Sequence, residues 1–206
     1  LKLFDEALDN LNQARQTLPD NPRISCNLGI SLFNKGQLED ARSIFELIIE
    51  QKPDYITPHI YLSLIYIKFN DIEKAIDFLK NCMDKFPRAA VFKNNLAVVY
   101  ESLDLPEEAE RAYRQAVNDE PQNYNICRNL ADFYYESQIL GAAKELYEKI
   151  PDEEKNWEVL FKLGNILMRL GDADGALIYW EKAKNLNPDQ QVITQNIELL
   201  KKSRGI

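Results

Sequence analysis

Residues 96–113 read LAVVYESLDLPEEAERAY. Leu96, Val99, Tyr100 and Leu103 recur at a spacing of three or four, the mark of a helix with one apolar face. Pro106 interrupts, and Ala109, Ala112 and Tyr113 resume the rhythm. Two short helices folded against each other account for the pattern, yet an alanine and a tyrosine stand where a core ordinarily takes leucine.

The rest of the chain explains them. Stepping back from Ala109 by 34 residues at a time reaches Ala75, Ala41 and Ala7; stepping forward by 34 and then 33 reaches Ala143 and Ala176. A leucine column runs in the same phase: Leu28, Leu62, Leu96, Leu130 and Leu163. A small or short residue follows each of them: Gly29, Ser63, Ala97, Ala131 and Gly164. Pro19, Pro53, Pro87, Pro121 and Pro188 close the units. A fixed period of this length marks a repeat architecture, in which each unit buries its apolar face only against its neighbours.

The columns resemble the tetratricopeptide repeat, whose pattern is W-x2-L-G-x2-Y, then A-x3-F, then P. The Tyr position holds Leu32, Tyr66, Tyr100, Tyr134 and Leu167, and the Phe position holds Leu11, Phe45, Leu79, Tyr113, Tyr147 and Trp180. The Trp position departs from the pattern, with Ser25, His59, Lys93, Cys127 and Leu160. The resemblance implies an all-α, right-handed α-solenoid (superhelix) of antiparallel helix pairs, each with a helix A and a helix B. We expect a single domain over 1–206, with full repeats at 22–55, 56–89, 90–123, 124–156 and 157–190. Residues 1–21 read as the second half of an earlier repeat. Residues 191–206 read as a capping helix, because Glu198 and Lys201 replace the small residue and the tyrosine that would receive a further unit. The small columns let helices approach closely, and large rings such as Tyr100 and Tyr113 fill the space beside them. The fourth unit is one residue short and Pro151 comes early, which ends its helix B near Lys149.

Composition narrows function. The chain has 206 residues, 45% hydrophobic, and its 25 Lys plus Arg against 33 Asp plus Glu give a net charge of −8. That argues against nucleic acid or an anionic membrane surface as partner, both of which need clustered basic residues. No apolar run approaches the ~20 residues of a bilayer span, so direct membrane insertion is not expected. Cys26, Cys82 and Cys127 lie far apart without metal-ligand spacing, the usage of free thiols in a reducing compartment, which favours the cytoplasm. The chain opens on Leu1 rather than Met, and we read it as a fragment or a processed product. His59 is the only histidine, no phosphate loop occurs, and the acidic clusters sit at helix starts, where they complement the helix dipole. We therefore expect no active site and no cofactor, and a protein or peptide partner held on a surface.

The resemblance places that surface on the concave groove lined by the A helices. The residue before each leucine of the Leu-small pair points there: Asn27, Tyr61, Asn95, Asn129 and Lys162. This column resembles the asparagine ladder of the repeat domain of O-linked N-acetylglucosamine transferase, where amides hold the backbone of a bound chain. An amide offers donor and acceptor to any peptide group. The carboxylate clamp of chaperone-binding repeats fits less well. Its best match, Asn94 and Val98, then Asn129, then Glu158 and Lys162, carries an acid that would repel a carboxylate. The N-terminal half of the expected groove is apolar, with Ile30, Ile60, Tyr61 and Leu64; the C-terminal half is polar, with Arg128, Lys162 and Asn165. Ile30 and Leu64 read equally well as packing between adjacent A helices. Two other roles fit the repeats: self-association through an N-terminal helix 1–18 left open on one side, and a substrate-recruiting arm of a larger enzyme.

Overall fold

The alanine and small-residue columns become helix contacts. In a computed structural model, which describes residues 21–204, eleven α-helices and one short 3-10 turn are present and no strand occurs among the described residues. The helices are α1 Pro22–Asn34, α2 Leu38–Gln51, α3 Ile56–Lys68, α4 Ile72–Lys85, α5 Ala90–Ser102, α6 Pro106–Asp119, α7 Tyr124–Glu136, α8 Leu140–Lys149, α9 Trp157–Arg169, α10 Ala173–Leu186 and α11 Gln191–Arg204. The fold is all-α, built of antiparallel helix pairs. The chain divides into two compact units, Leu1–Asp119 and Glu120–Ile206. The first contains α1–α6 and the second α7–α11. Helix 1–18 of the sequence reading lies outside the described residues.

Every repeat has the same turn between its helices. The fifteenth residue of each unit adopts a left-handed backbone: Gly36 (φ 82°), Asn70 (57°), Asp104 (56°), Gln138 (64°) and Gly171 (87°). The next residue donates its N–H back across the helix end, as Gln37 does to the Leu32 carbonyl (2.9 Å) and Asp172 to that of Leu167 (2.9 Å). This six-to-one bond closes a helix on a left-handed residue. Glycine suits the position, and Asn and Asp tolerate it better than other side chains.

In the first unit Ala41, Ala75 and Ala109 are fully buried, and Phe45, Leu79 and Tyr113 fill the neighbouring space. Gly29 faces Phe45 so closely that a Cβ there would stand 2.7 Å from the ring. In the same way Ala109 is the contact point and Tyr113 fills the space beside it, its hydroxyl donating to Glu101. The core runs through Phe45, Ile65, Leu79, Phe92 and Val99.

The second unit repeats the scheme with Ala143 and Ala176 against Tyr147 and Trp180. Helix α8 stops at Lys149, as Pro151 requires, and a turn at Asp152–Glu154 bridges to α9. Lys155, buried, closes that turn on Asp152 at 2.7 Å and holds its carboxyl below the usual range. Helix α11 packs Ile193, Ile197 and Leu200 onto the core with Trp180 and Ala183, and Lys201–Glu181 (2.9 Å) and Arg204–Asp174 ion pairs tie it to α10.

Candidate peptide-binding groove

In the first unit, packing takes most of the residues assigned to a groove. Asn94 and Asn95 were expected to face solvent, but they are 6% and 4% exposed. Asn95 donates to Ser63 Oγ at 3.1 Å, and Asn94 donates to Asn95 Oδ1 at 3.4 Å. The reason is the hydroxyl in the small column: Ser63 offers a polar partner inside a helix contact, and the amide turns inward to meet it. Tyr61 is stacked on Phe45 (5.4 Å between centroids) and meets Phe33 edge-on (5.2 Å). Ile30 and Ile60 are half-buried against the same core. The packing reading of these apolar residues therefore accounts for them. Leu64 is half-buried and Asn27 is exposed.

The second unit differs. Arg128 and Asn129 on α7, and Lys162 on α9, line one open groove of about 600 Å3 together with Trp157, Phe161 and Val192. Asp132 stands among them. Its Oδ1 accepts from Lys162 Nζ at 2.6 Å and from the Tyr147 hydroxyl. Tyr147 is wholly buried, so burial and the Asp132 carboxylate both push its phenol pKa up, and it remains a donor. Lys162 also lies over the Tyr135 ring at 5.4 Å. Its ammonium is thus engaged within the protein, while among the described residues the Arg128 guanidinium donates to Asn125 Oδ1 alone (2.9 Å). Asn165 lines the adjoining hollow along α9. Its amide donates to Tyr135 Oη (3.2 Å) and accepts from Trp180 Nε1 (3.0 Å).

Two residues at the C-terminal end escaped the sequence reading. Asn196 and Leu199 on α11 line a hollow beside Asn165. The signal was present: Asn196 follows Lys162 by 34 residues, in the ladder column.

Among the described residues no cluster of His, Cys, Asp or Glu could hold a metal, and no helix is long and apolar enough to cross a membrane. The three cysteines are buried free thiols; burial raises all three, and pushes Cys82 up to about 12.

This arrangement of helix pairs with small-residue contacts defines a helical repeat protein. Tetratricopeptide repeat models match residues 2–62 and 105–157, 60–89, 90–119 and 157–190, so the chain belongs to the tetratricopeptide repeat family. Within it, the chain is 25% identical over 198 residues to the Arabidopsis thaliana "Protein CTR9 homolog", covering 90% of this chain and 18% of that protein. Among solved structures, a human IFIT1 dimer with m7Gppp-AAAA superimposes with a TM-score of 0.73 at 20% identity, covering 95% of this chain and 48% of that one. YrrB, described as a TPR protein with an unusual peptide-binding site, superimposes with a TM-score of 0.58 at 15% identity, covering 90% and 96%. At these identities the structural likeness establishes the fold alone.

Proposed function

We propose that the chain is a protein-binding scaffold and that a peptide segment of its partner lies in the A-helix groove of the second unit. Repeats of this family mediate protein–protein interaction; the location is our reading. The observation that carries it is the open groove of about 600 Å3 where Arg128, Asn129 and Lys162 converge. The YrrB likeness is consistent with a peptide ligand. The m7Gppp-AAAA of the IFIT1 structure is phosphate-rich, and a chain of net charge −8 is poorly suited to such a ligand. We assign the scaffold no catalytic step.

The test is a randomised 12-residue peptide library selected on the full chain, followed by titration calorimetry of an enriched peptide. Arg128→Ala with Asn129→Ala should weaken binding about 10-fold, the scale of one or two lost hydrogen bonds. Lys80→Ala, an exposed site on α4, should leave affinity unchanged. Affinity that survives the double substitution and falls with Lys80→Ala moves the site off the groove.

A further inference from the structure

Helix α11 carries more apolar surface than its packing uses. Ile193, Ile197 and Leu200 are buried, but Leu199 is 66% exposed and Val192 is 44% exposed. Val192, Asn196, Leu199 and Ser203 recur at steps of four, three and four, a second stripe beside the packed one. Within the second unit Asn196, Leu199 and Ser203 of this stripe, with α9, line an open hollow of about 440 Å3, with Met168, Leu199, Leu200 and Trp180 as its apolar lining; Val192 lines the neighbouring groove. Met168 is itself 41% exposed.

The polar groups around the hollow sort into spent and unspent. Asn165 has both ends of its amide engaged, by Tyr135 and Trp180, and the Ser203 hydroxyl donates to the Leu200 carbonyl. Asn196 makes no hydrogen bond through its side chain among the described residues, and it occupies the same column as Asn129. Arg169 is exposed, makes no ion pair among the described residues, and is the only charged residue in the lining. Of the acids on α7, Asp132 is paired with Lys162, and Glu136, exposed next to Tyr135, makes no ion pair with Arg169 among the described residues.

An apolar floor, a free amide and an uncompensated guanidinium are complementary to one class of ligand. We propose that this hollow docks a short partner peptide bearing a large apolar side chain beside an Asp or Glu. The apolar side chain covers Met168 and Leu199, Asn196 pairs with the peptide backbone, and Arg169 takes the carboxylate, a bidentate match in geometry. A basic segment meets only Arg169 and is rejected. The inference rests on the scaffold reading above and makes α11 a working part of the binding surface. Unlike the several phosphates of m7Gppp-AAAA, a single carboxylate is opposed by the bulk charge only weakly at physiological salt, where screening acts over about 8 Å.

The test selects a phage library of 12-residue peptides, with one fixed Leu and random flanks, on the full chain. Asp or Glu should be enriched within two residues of the Leu. By fluorescence anisotropy, Leu199→Ser and Arg169→Glu should each weaken an enriched peptide about 10-fold without changing the melting temperature. Arg169→Glu should prefer the same peptide with its acid changed to Lys. Enriched peptides that lack the acid, or that ignore both substitutions yet respond to Arg128→Ala with Asn129→Ala, overturn this hollow and leave the groove standing. Peptides insensitive to all four substitutions, or no enrichment at all, overturn both. A dimer in light scattering that Leu199→Ser dissociates makes a second copy the occupant and overturns the proposal.

Discussion

Asn95 Nδ2 donates to Ser63 Oγ at 3.1 Å, inside a contact between two A helices of the first unit. Ser63 in turn donates to the Ile60 carbonyl at 2.7 Å, so the amide joins a short buried chain of hydrogen bonds. Asn95→Ala should therefore destabilise the protein by about 1–2 kcal/mol, for the lost bond and the space it leaves. Asn129→Ala, half-buried, should cost less. Urea denaturation of the two variants decides it: equal midpoints would mean that Asn95 is not held as described.

Gly164 meets Trp180 at a distance that excludes a methyl group. A Cβ there would lie 2.4 Å from Trp180 Cδ1 and 3.1 Å from the Ala176 carbonyl oxygen. The indole cannot swing away without losing its bond to Asn165. Gly164→Ala should cost about 1–3 kcal/mol by overpacking. Gly141, with nothing within 4 Å of an added Cβ, is the contrast: Gly141→Ala in α8 should stabilise by up to about 1 kcal/mol. Thermal melts that shift both variants the same way would contradict this.

Gln138 holds a left-handed backbone without the glycine or short polar side chain that suits it. Relief of that strain makes Gln138→Gly stabilising by about 0.5–1 kcal/mol, after the entropy that glycine adds to the unfolded chain. The same change at Gln37, one residue past the corresponding turn, should bring no gain. Denaturant midpoints of the pair provide the check.

Asp132 joins three helices of the second unit through Tyr147 and Lys162. Asp132→Ala leaves the buried Tyr147 hydroxyl without its acceptor and should cost about 1–3 kcal/mol. Tyr147→Phe removes the orphaned group, so the double variant should be more stable than the sum of the singles. Additive losses in that cycle would show that the two do not interact.

His59 is 5% exposed, against Phe86 at 5.0 Å and Phe78 at 6.1 Å between centroids. Burial lowers its pKa from the ordinary 6.5; the bond from its ring to the Tyr55 carbonyl works against that, the Lys85 charge adds to it and Asp54 opposes it. The unfolded chain then binds a proton more readily than the native one. Stability from this site is full above pH 6.5 and declines as pH falls from there to the folded pKa. His59→Phe should flatten that part of the stability profile, measured by urea melts between pH 5 and 8. Parallel profiles for parent and variant would remove His59 as the cause.

Periodicity alone determined the helix pairs, because the constraint it records is local and repeated: Ala109, Gly164 and their columns must be small wherever two helices touch. Proline placed the start of α6 and the end of α8 for an equally local reason, the missing N–H. The turns were legible only in part, since Gly36 and Gly171 announce a left-handed residue whereas Asn70, Asp104 and Gln138 adopt it from the repeat geometry. What the surface does was decided by tertiary contacts. Asn95 and Asn129 share a column, yet Ser63 draws one inward while the other lines a groove. Tyr61 stands in that column and is consumed by Phe33 and Phe45. Leu199, one residue before the buried Leu200, is left outside by helical rotation alone. A column fixes where a side chain starts; the chemistry of its neighbours on the next helix fixes what it meets there.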